Sequence, residues 1–135
     1  MSRKTDQPVH EIISRTHLPV FDLKETAGHI QAKAVFPPDS IWFQGHFPGI
    51  SILPFVAVTA LAVEPLLRYS QARGRPLKIT GFSRVRIRAL TSPDEELCMS
   101  IEDMPSTREA ELAFEVSSQG EKVCQGRVLV AEEEK

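Results

Sequence analysis

The stretch WFQGHFPGISILPFVAVTALAVEPLL, residues 42–67, joins a short histidine-containing turn to a long apolar run. Residues 47–63 contain no Asp, Glu, Lys or Arg. Pro54 suits the first turn of a helix, where its missing N–H is not needed, and Gly74 is a natural stop. We therefore predict a helix over about residues 54–72.

The first half of this helix is apolar on all sides, through Phe55, Val56, Val58, Leu61, Ala62 and Val63. A helix of this kind is stable only when other elements enclose it. Pro65 removes a backbone hydrogen bond and clashes with the preceding turn, so we expect a kink or a break close to it. The second half, LLRYSQARG, is amphipathic and is expected at the surface.

Six extended segments are predicted around the helix. They read LPVFDLKET, HIQAKAVFP, LKITGFSRVRIRAL, EELCMSIEDM, EAELAFEVSSQ and EKVCQGRVLVAEE. The turn SSQGEK joins the last two segments as a hairpin. An antiparallel sheet curled around one long helix is the hot-dog arrangement, an α+β fold. The chain length fits a single domain over residues 1–135.

Composition argues against several classes of function. The formal net charge is −2, without the basic field that marks nucleic-acid binding. Cys98 and Cys124 form no C-x-x-C pair, and the four histidines include no pair at helix-neighbour spacing. We therefore expect reduced thiols, no metal site, no cofactor and no nucleic-acid partner.

The apolar run is unsuited to spanning a membrane, because Pro48, Gly49, Ser51 and Pro54 interrupt the roughly 20 apolar residues that a spanning helix needs. The first residues, MSRKTDQPVHEIISR, include basic residues but no apolar core of a signal peptide. The sequence therefore predicts a cytoplasmic protein with no membrane span.

The segment WFQGHFPGISILP resembles the FFQGHFPG-type turn and proline-started helix of the 3-hydroxyacyl-[acyl-carrier-protein] dehydratases. LKITGFSRVRIRALTSPDEEL and FEVSSQGEKVCQGRVLV resemble later parts of that family, so the resemblance covers about residues 17–131. It implies a homodimer whose sheets join edge to edge, with two active sites at the interface and possible assembly into hexamers. It also implies a 3-hydroxyacyl thioester substrate on acyl carrier protein or coenzyme A.

Removing water from such a thioester needs a base at C2, an acid for the leaving hydroxyl and donors for the thioester oxygen. His46 suits the base, because burial beside the acyl chain keeps an imidazole neutral. Free N–H groups at the helix start suit the donors. We expect the substrate to contact Phe47, Gly49, Pro54, Phe55, Val56 and Ala60.

The acid is where this chain departs from the family it resembles. The family places a carboxylate fourteen positions after the histidine, and here that position is Ala60. The nearest helix acid is Glu64, one turn further along the same face. Ser51 and Phe55 also replace the usual proline and glycine. Losing the acid without replacement costs about 3 to 5 kcal/mol of barrier lowering, so Glu64 either takes over that role or is a solvated residue.

Arg84, Arg86 and Arg88 alternate with Val85 and Ile87, which predicts an arginine row on one face of a strand. This row is either an ordinary solvent face or a surface that attracts an acidic carrier protein or a pantetheine phosphate.

Four functions are consistent with these features. The first is a dehydratase, and the second is an acyl-binding or assembly protein that lost the acid. The third is one subunit of a heterodimeric dehydratase whose partner supplies the carboxylate. A thioesterase is weaker, because hot-dog thioesterases also place a carboxylate on the central helix.

Overall fold

The computed structural model describes residues 18–40, 43 and 55–133, with the backbone alone at positions 55 and 56. Within these residues the chain forms β1 (Val20–Thr26), β2 (His29–Val35), α1 (Phe55–Ala72), β3 (Leu77–Ile87), β4 (Glu96–Glu102), β5 (Glu109–Ser118) and β6 (Glu121–Glu132). The predicted helix and the six predicted strands are confirmed.

The strands form one antiparallel sheet in the order β1-β2-β4-β5-β6-β3, so β1 and β3 are its edges. Two tight turns close its hairpins, Ala27–Gly28 after β1 and Gln119–Gly120 after β5. All four turn residues have positive φ, between 51° and 83°. Positive φ at both central residues gives the turn whose twist matches the flanking strands. The hairpin predicted at SSQGEK is confirmed.

The curled sheet encloses α1, as a hot-dog fold requires. Six alanine, valine and leucine residues of the helix are at most 4% exposed: Ala57, Val58, Leu61, Ala62, Val63 and Leu66. Side chains from the inner face of the sheet, including Ile30, Leu97, Ile101 and Val116, are fully buried against them. The small alanine and valine side chains let the sheet approach the helix closely. The predicted enclosure is confirmed.

The helix continues through Pro65 over its whole length from Phe55 to Ala72, so a break is wrong, while the kink stays a prediction. A proline inside a helix costs about 3 kcal/mol. Full burial of a large apolar side chain contributes about 1.5 to 3 kcal/mol, and Val63 and Leu66 on either side are both buried. Packing therefore outweighs the lost hydrogen bond. Among the described residues, no helix is long and apolar enough to cross a membrane.

A β-bulge interrupts the predicted alternation of β3. Arg84 and Val85 together face Gly126 on β6, and Arg84 takes the left-handed conformation at φ 55°. A Cβ at Gly126 would lie 2.9 Å from the Val85 Cα atom, so only glycine leaves room for the bulge. The bulge breaks the predicted alternation at Arg84 and Val85, whereas Arg86 and Ile87 pair with successive residues of β6, Gln125 and Cys124.

Candidate active site

Four predicted site residues lie outside the part of the chain that the structure describes: His46, Phe47, Gly49 and Pro54. Their roles as base and as substrate contacts therefore stay predictions. Phe55 and Val56, the next residues in the predicted set, form the first turn of α1. The backbone N–H groups of a first turn have no acceptor within the helix and carry partial positive charge. Such groups are suited to the predicted contact with a thioester oxygen.

Ala60 lies one turn further into α1, at the position where the resembled family carries its acid. It is 7% exposed and belongs to the same buried core as Ala57 and Leu61. Its methyl group offers no proton. Within Phe55–Ala72, Glu64 is the only acidic residue, so this helix supplies no other carboxylate for the reaction.

Glu64 is held by an arginine one turn along the same helix. Arg68 Nε donates a hydrogen bond to Glu64 Oε2 at 2.7 Å. Arg68 Nη2 also donates to the backbone oxygen of Leu18 at 3.0 Å, and Leu18 precedes β1. Both charged side chains are partly buried, at 20% exposure for Glu64 and 32% for Arg68. Arg68 therefore forms a clamp that joins the Glu64 carboxylate on α1 to the backbone oxygen of Leu18, just before β1.

This arrangement bears on the predicted role of Glu64. One helical turn is about 5.4 Å along the axis, whereas a general acid must lie within about 3.2 Å of the atom it protonates, or act through one water. An ionised carboxylate accepts hydrogen bonds, here from the Arg68 guanidinium, and has no proton of its own to donate. Glu64 would have to leave Arg68 to act as the acid.

A polar cluster at the other end of α1 was missed by sequence reasoning. Tyr69 Oη donates to Glu25 Oε1 at 3.1 Å, and this hydrogen bond is the main cause that raises the pKa of Tyr69. The Arg73 guanidinium lies 4.5 Å from the centre of the Tyr69 ring and makes two hydrogen bonds to Asp103, at 3.1 and 2.7 Å. The cluster attaches the helix end to β1 and to the end of β4. No local motif signals it, because its members lie far apart in sequence.

The predicted arginine row borders a shallow depression of about 550 Å³. Arg84 and Arg86 line it together with Lys122, Gln125 and Arg127. Arg88 donates a hydrogen bond from Nε to Oε1 of the same Gln125, at 3.3 Å. A Cβ at Gly126 would meet the buried Phe114, so position 126 faces the helix side of the sheet. Because successive side chains of a strand point to opposite faces, the neighbouring Arg127 points away from the helix. The depression therefore lies on the outer face of the sheet.

The two cysteines are chemically different. Cys98 is exposed, whereas Cys124 is buried, and burial raises the pKa of the Cys124 thiol to about 11. Among the residues that the structure describes, no group of three or more His, Cys, Asp or Glu side chains is placed to hold a metal ion.

The enclosed helix and curled sheet define a hot-dog protein, and a family comparison makes this more specific. The chain belongs to the ApeI-like family, whose model, described as ApeI dehydratase, matches residues 22–127. A curated relative, the 3-hydroxyacyl-[acyl-carrier-protein] dehydratase FabZ of Syntrophobacter fumaroxidans, is 37% identical over 65 residues. That match spans 44% of this chain and 44% of the relative.

Solved structures show the same fold at low sequence identity. The dehydratase heterocomplex ApeI:P from Xenorhabdus doucetiae matches with a TM-score of 0.67 and 20% identity, over 85% of this chain and 98% of that one. A hypothetical thioesterase with coenzyme A from Streptococcus pneumoniae TIGR4 matches with a TM-score of 0.65 and 12% identity, over 84% of this chain and 86% of that one. These likenesses establish the hot-dog fold.

Proposed function

We propose that the chain is one subunit of a 3-hydroxyacyl-thioester dehydratase whose site is divided, with His46 as the base and the acid supplied by a second, different subunit. The substrate is a 3-hydroxyacyl group on acyl carrier protein or coenzyme A, in fatty-acid-type metabolism. One observation carries the proposal. The only carboxylate on α1, Glu64, is bound to Arg68, and Ala60 offers a methyl group where an acid is needed.

In the proposed reaction His46 takes a proton from C2 of the acyl chain. Negative charge grows on the thioester oxygen, where the N–H groups at the start of α1 stabilise it. The C3–O bond then breaks, and the hydroxyl leaves as water after receiving a proton from the acid of the second subunit. The products are a trans-2-enoyl thioester and water. This chain provides the base and the oxyanion donors, and its partner provides the proton.

The family membership supports dehydration as the chemistry. The ApeI:P structure is described as a dehydratase heterocomplex, which supports a site built from unlike subunits. The homodimer and the hexamer that the family resemblance implies remain alternative proposals for the assembly. In a homodimer of this chain, each of the two sites would have Ala60 at the acid position and no free carboxylate from α1.

A second candidate function is acyl-thioester binding without chemistry. The absence of a free carboxylate on α1 is equally compatible with it, and the coenzyme A in the thioesterase neighbour supports binding of the thioester donor. Thioester hydrolysis itself is less well supported, because the sequence argument places the required carboxylate on the same helix.

The experiment is a direct assay of the purified chain with 3-hydroxyacyl and trans-2-enoyl thioesters, following the enoyl chromophore. The divided site predicts that the chain alone binds these thioesters and turns them over about 10² to 10⁴ times more slowly than a complete acid–base pair would. Turnover at a rate of about 10 per second or more by the chain alone would contradict the divided site. Failure to bind either thioester would contradict both candidate functions.

A further inference from the structure

The β3 strand is an edge of the sheet, with one side of its backbone unpaired in the part of the chain that the structure describes. Unpaired N–H and C=O groups on an edge are a template for another strand. The strand and the residue after it contain four cations, Lys78, Arg84, Arg86 and Arg88, and no acid. Any strand that pairs here therefore meets positive charge only.

Apolar surface accompanies this charge. Phe82 on β3 is 41% exposed, and its ring packs edge-on against buried Phe114 with the centroids 6.0 Å apart. Ile87 at the end of the strand is 40% exposed and Leu90 just beyond it is 66% exposed. Exposed apolar side chains along a charged strand are consistent with a contact surface for another protein.

The family resemblance implies that the sheets of two subunits join edge to edge, and we propose that the basic charge of β3 selects a second subunit whose facing strand is acidic over a second copy of this chain. The proposal rests on the divided site, which requires a different subunit to supply the acid. It adds the charge by which that subunit is chosen.

Symmetry makes self-pairing of this strand unfavourable. In a regular antiparallel pair of two copies, leaving aside the bulge at Arg84 and Val85, a two-fold axis at Val85 places Arg84 opposite Arg86 of the second copy. An axis at Arg86 places Arg86 opposite itself and Arg84 opposite Arg88. Like charges directly opposite one another destabilise a strand pair, whereas opposite charges stabilise it. Since this segment contains no acid, no register of self-pairing brings opposite charges together.

The neighbouring strand increases the positive field. Lys122 and Arg127 lie in the same depression as Arg84 and Arg86, and Glu115 is the only acid that lines it. Glu115 Oε1 already lies 3.8 Å from Lys122 Nζ. An acidic strand at β3 would meet uncompensated cations. A field of this kind acts mainly on partner choice and on association rate, and salt screens it.

The test uses this chain with an acidic stand-in for the partner. Arg84→Glu/Arg86→Glu gives the same fold an acidic edge, and sedimentation equilibrium measures association of wild type with itself, of the variant with itself and of the mixture. At low salt the mixture should associate at least about tenfold more tightly than wild type alone, and the difference should shrink at high salt. Circular dichroism first establishes that the variant is folded.

The matched control is Lys24→Glu/Lys33→Glu, which reverses two exposed charges on β1 and β2 at the opposite side of the sheet. A mixture of this control variant with wild type should associate no more tightly than wild type alone. Equal association of wild type with itself and with the acidic variant would overturn the proposal, as would the same gain from the control. If the acidic variant instead loses calorimetric affinity for coenzyme A and leaves association unchanged, the arginines hold the thioester donor and the proposal is wrong. None of these measurements uses catalysis, so the divided site is tested separately by the rate assays.

Discussion

Arg68 Nε lies 2.7 Å from Glu64 Oε2, so the single acid of α1 is paired within its own helix. The same guanidinium reaches the backbone oxygen of Leu18 at 3.0 Å and so joins the helix to the chain entering β1. The carboxylate therefore has a structural partner that competes with any catalytic one. This pairing, together with the methyl group of Ala60, is the reason for assigning the acid to another subunit.

Glu64→Gln should lower the free energy of unfolding by about 1 kcal/mol, because it removes a partly buried ion pair. Chemical denaturation of the folded protein measures this change. Arg68→Met should cost at least as much, since it also leaves the Leu18 oxygen without this donor. If neither variant changes the midpoint of unfolding, the clamp contributes nothing to stability and Glu64 is free for another role.

Gly126→Ala should destabilise the protein by about 1 to 3 kcal/mol, because its Cβ would meet Val85 Cα at 2.9 Å and Phe114 Cζ at 3.0 Å. Gly81→Ala is the matched control on the neighbouring strand, since a Cβ there meets only Leu129 Cδ1, at 3.9 Å. Thermal unfolding compares the two variants. Equal loss in both would show that the bulge does not depend on space at position 126.

Tyr69 is the only tyrosine of the chain, so its ionisation can be followed by ultraviolet absorbance. The hydrogen bond to Glu25 raises its pKa by favouring the protonated phenol. Glu25→Gln should therefore lower the pKa toward the ordinary value near 10.0. The raised pKa also means that this contact stabilises the fold below pH about 10 and that the contribution is lost as the pH rises through the folded-state pKa. An unchanged titration in Glu25→Gln would contradict the contact.

The two thiols should react at different rates. Burial raises the pKa of Cys124 to about 11, so very little thiolate exists there at pH 8, whereas Cys98 is exposed. A thiol-specific reagent should modify Cys98 in the native protein and both cysteines in denaturant. Rapid reaction of two thiols in the native state would contradict the placement of Cys124 in the core.

The sequence predicted most of the fold because its strongest signals are physical constraints on whole elements. An uncharged run from position 47 to 63 had to be enclosed, and alternating strands on both sides supplied the enclosure. The continuation of the helix through Pro65 was not predictable, because it depends on the burial of Val63 and Leu66 by the sheet. The bulge at Arg84 was not predictable either, since it depends on space at Gly126.

The candidate site was predictable only in part. The sequence showed that Ala60 lacks a carboxylate and that Glu64 is the nearest acid. Arg68 follows Glu64 at the spacing of helix neighbours, so the ion pair could have been read from the sequence as well. The cluster of Tyr69, Glu25, Arg73 and Asp103 could not, because tertiary packing alone brings these residues together.

The divided site is tested most directly by the rate at which the Ala60→Glu variant converts a 3-hydroxyacyl thioester to its enoyl product, relative to wild type and to Ala60→Gln. Ala60→Gln matches the size of glutamate without its acid, and it controls for the cost of placing a polar chain in this buried position. We expect the rate of Ala60→Glu to exceed the rates of wild type and Ala60→Gln by about 10²-fold or more. The Ala60→Glu variant must be folded, and adding His46→Ala to it should remove the gain in rate. We also expect Glu64→Gln to leave the slow wild-type rate unchanged. A wild-type rate that already matches Ala60→Glu, and that falls about 10²-fold in Glu64→Gln, would show that Glu64 is the acid and that the chain needs no other subunit.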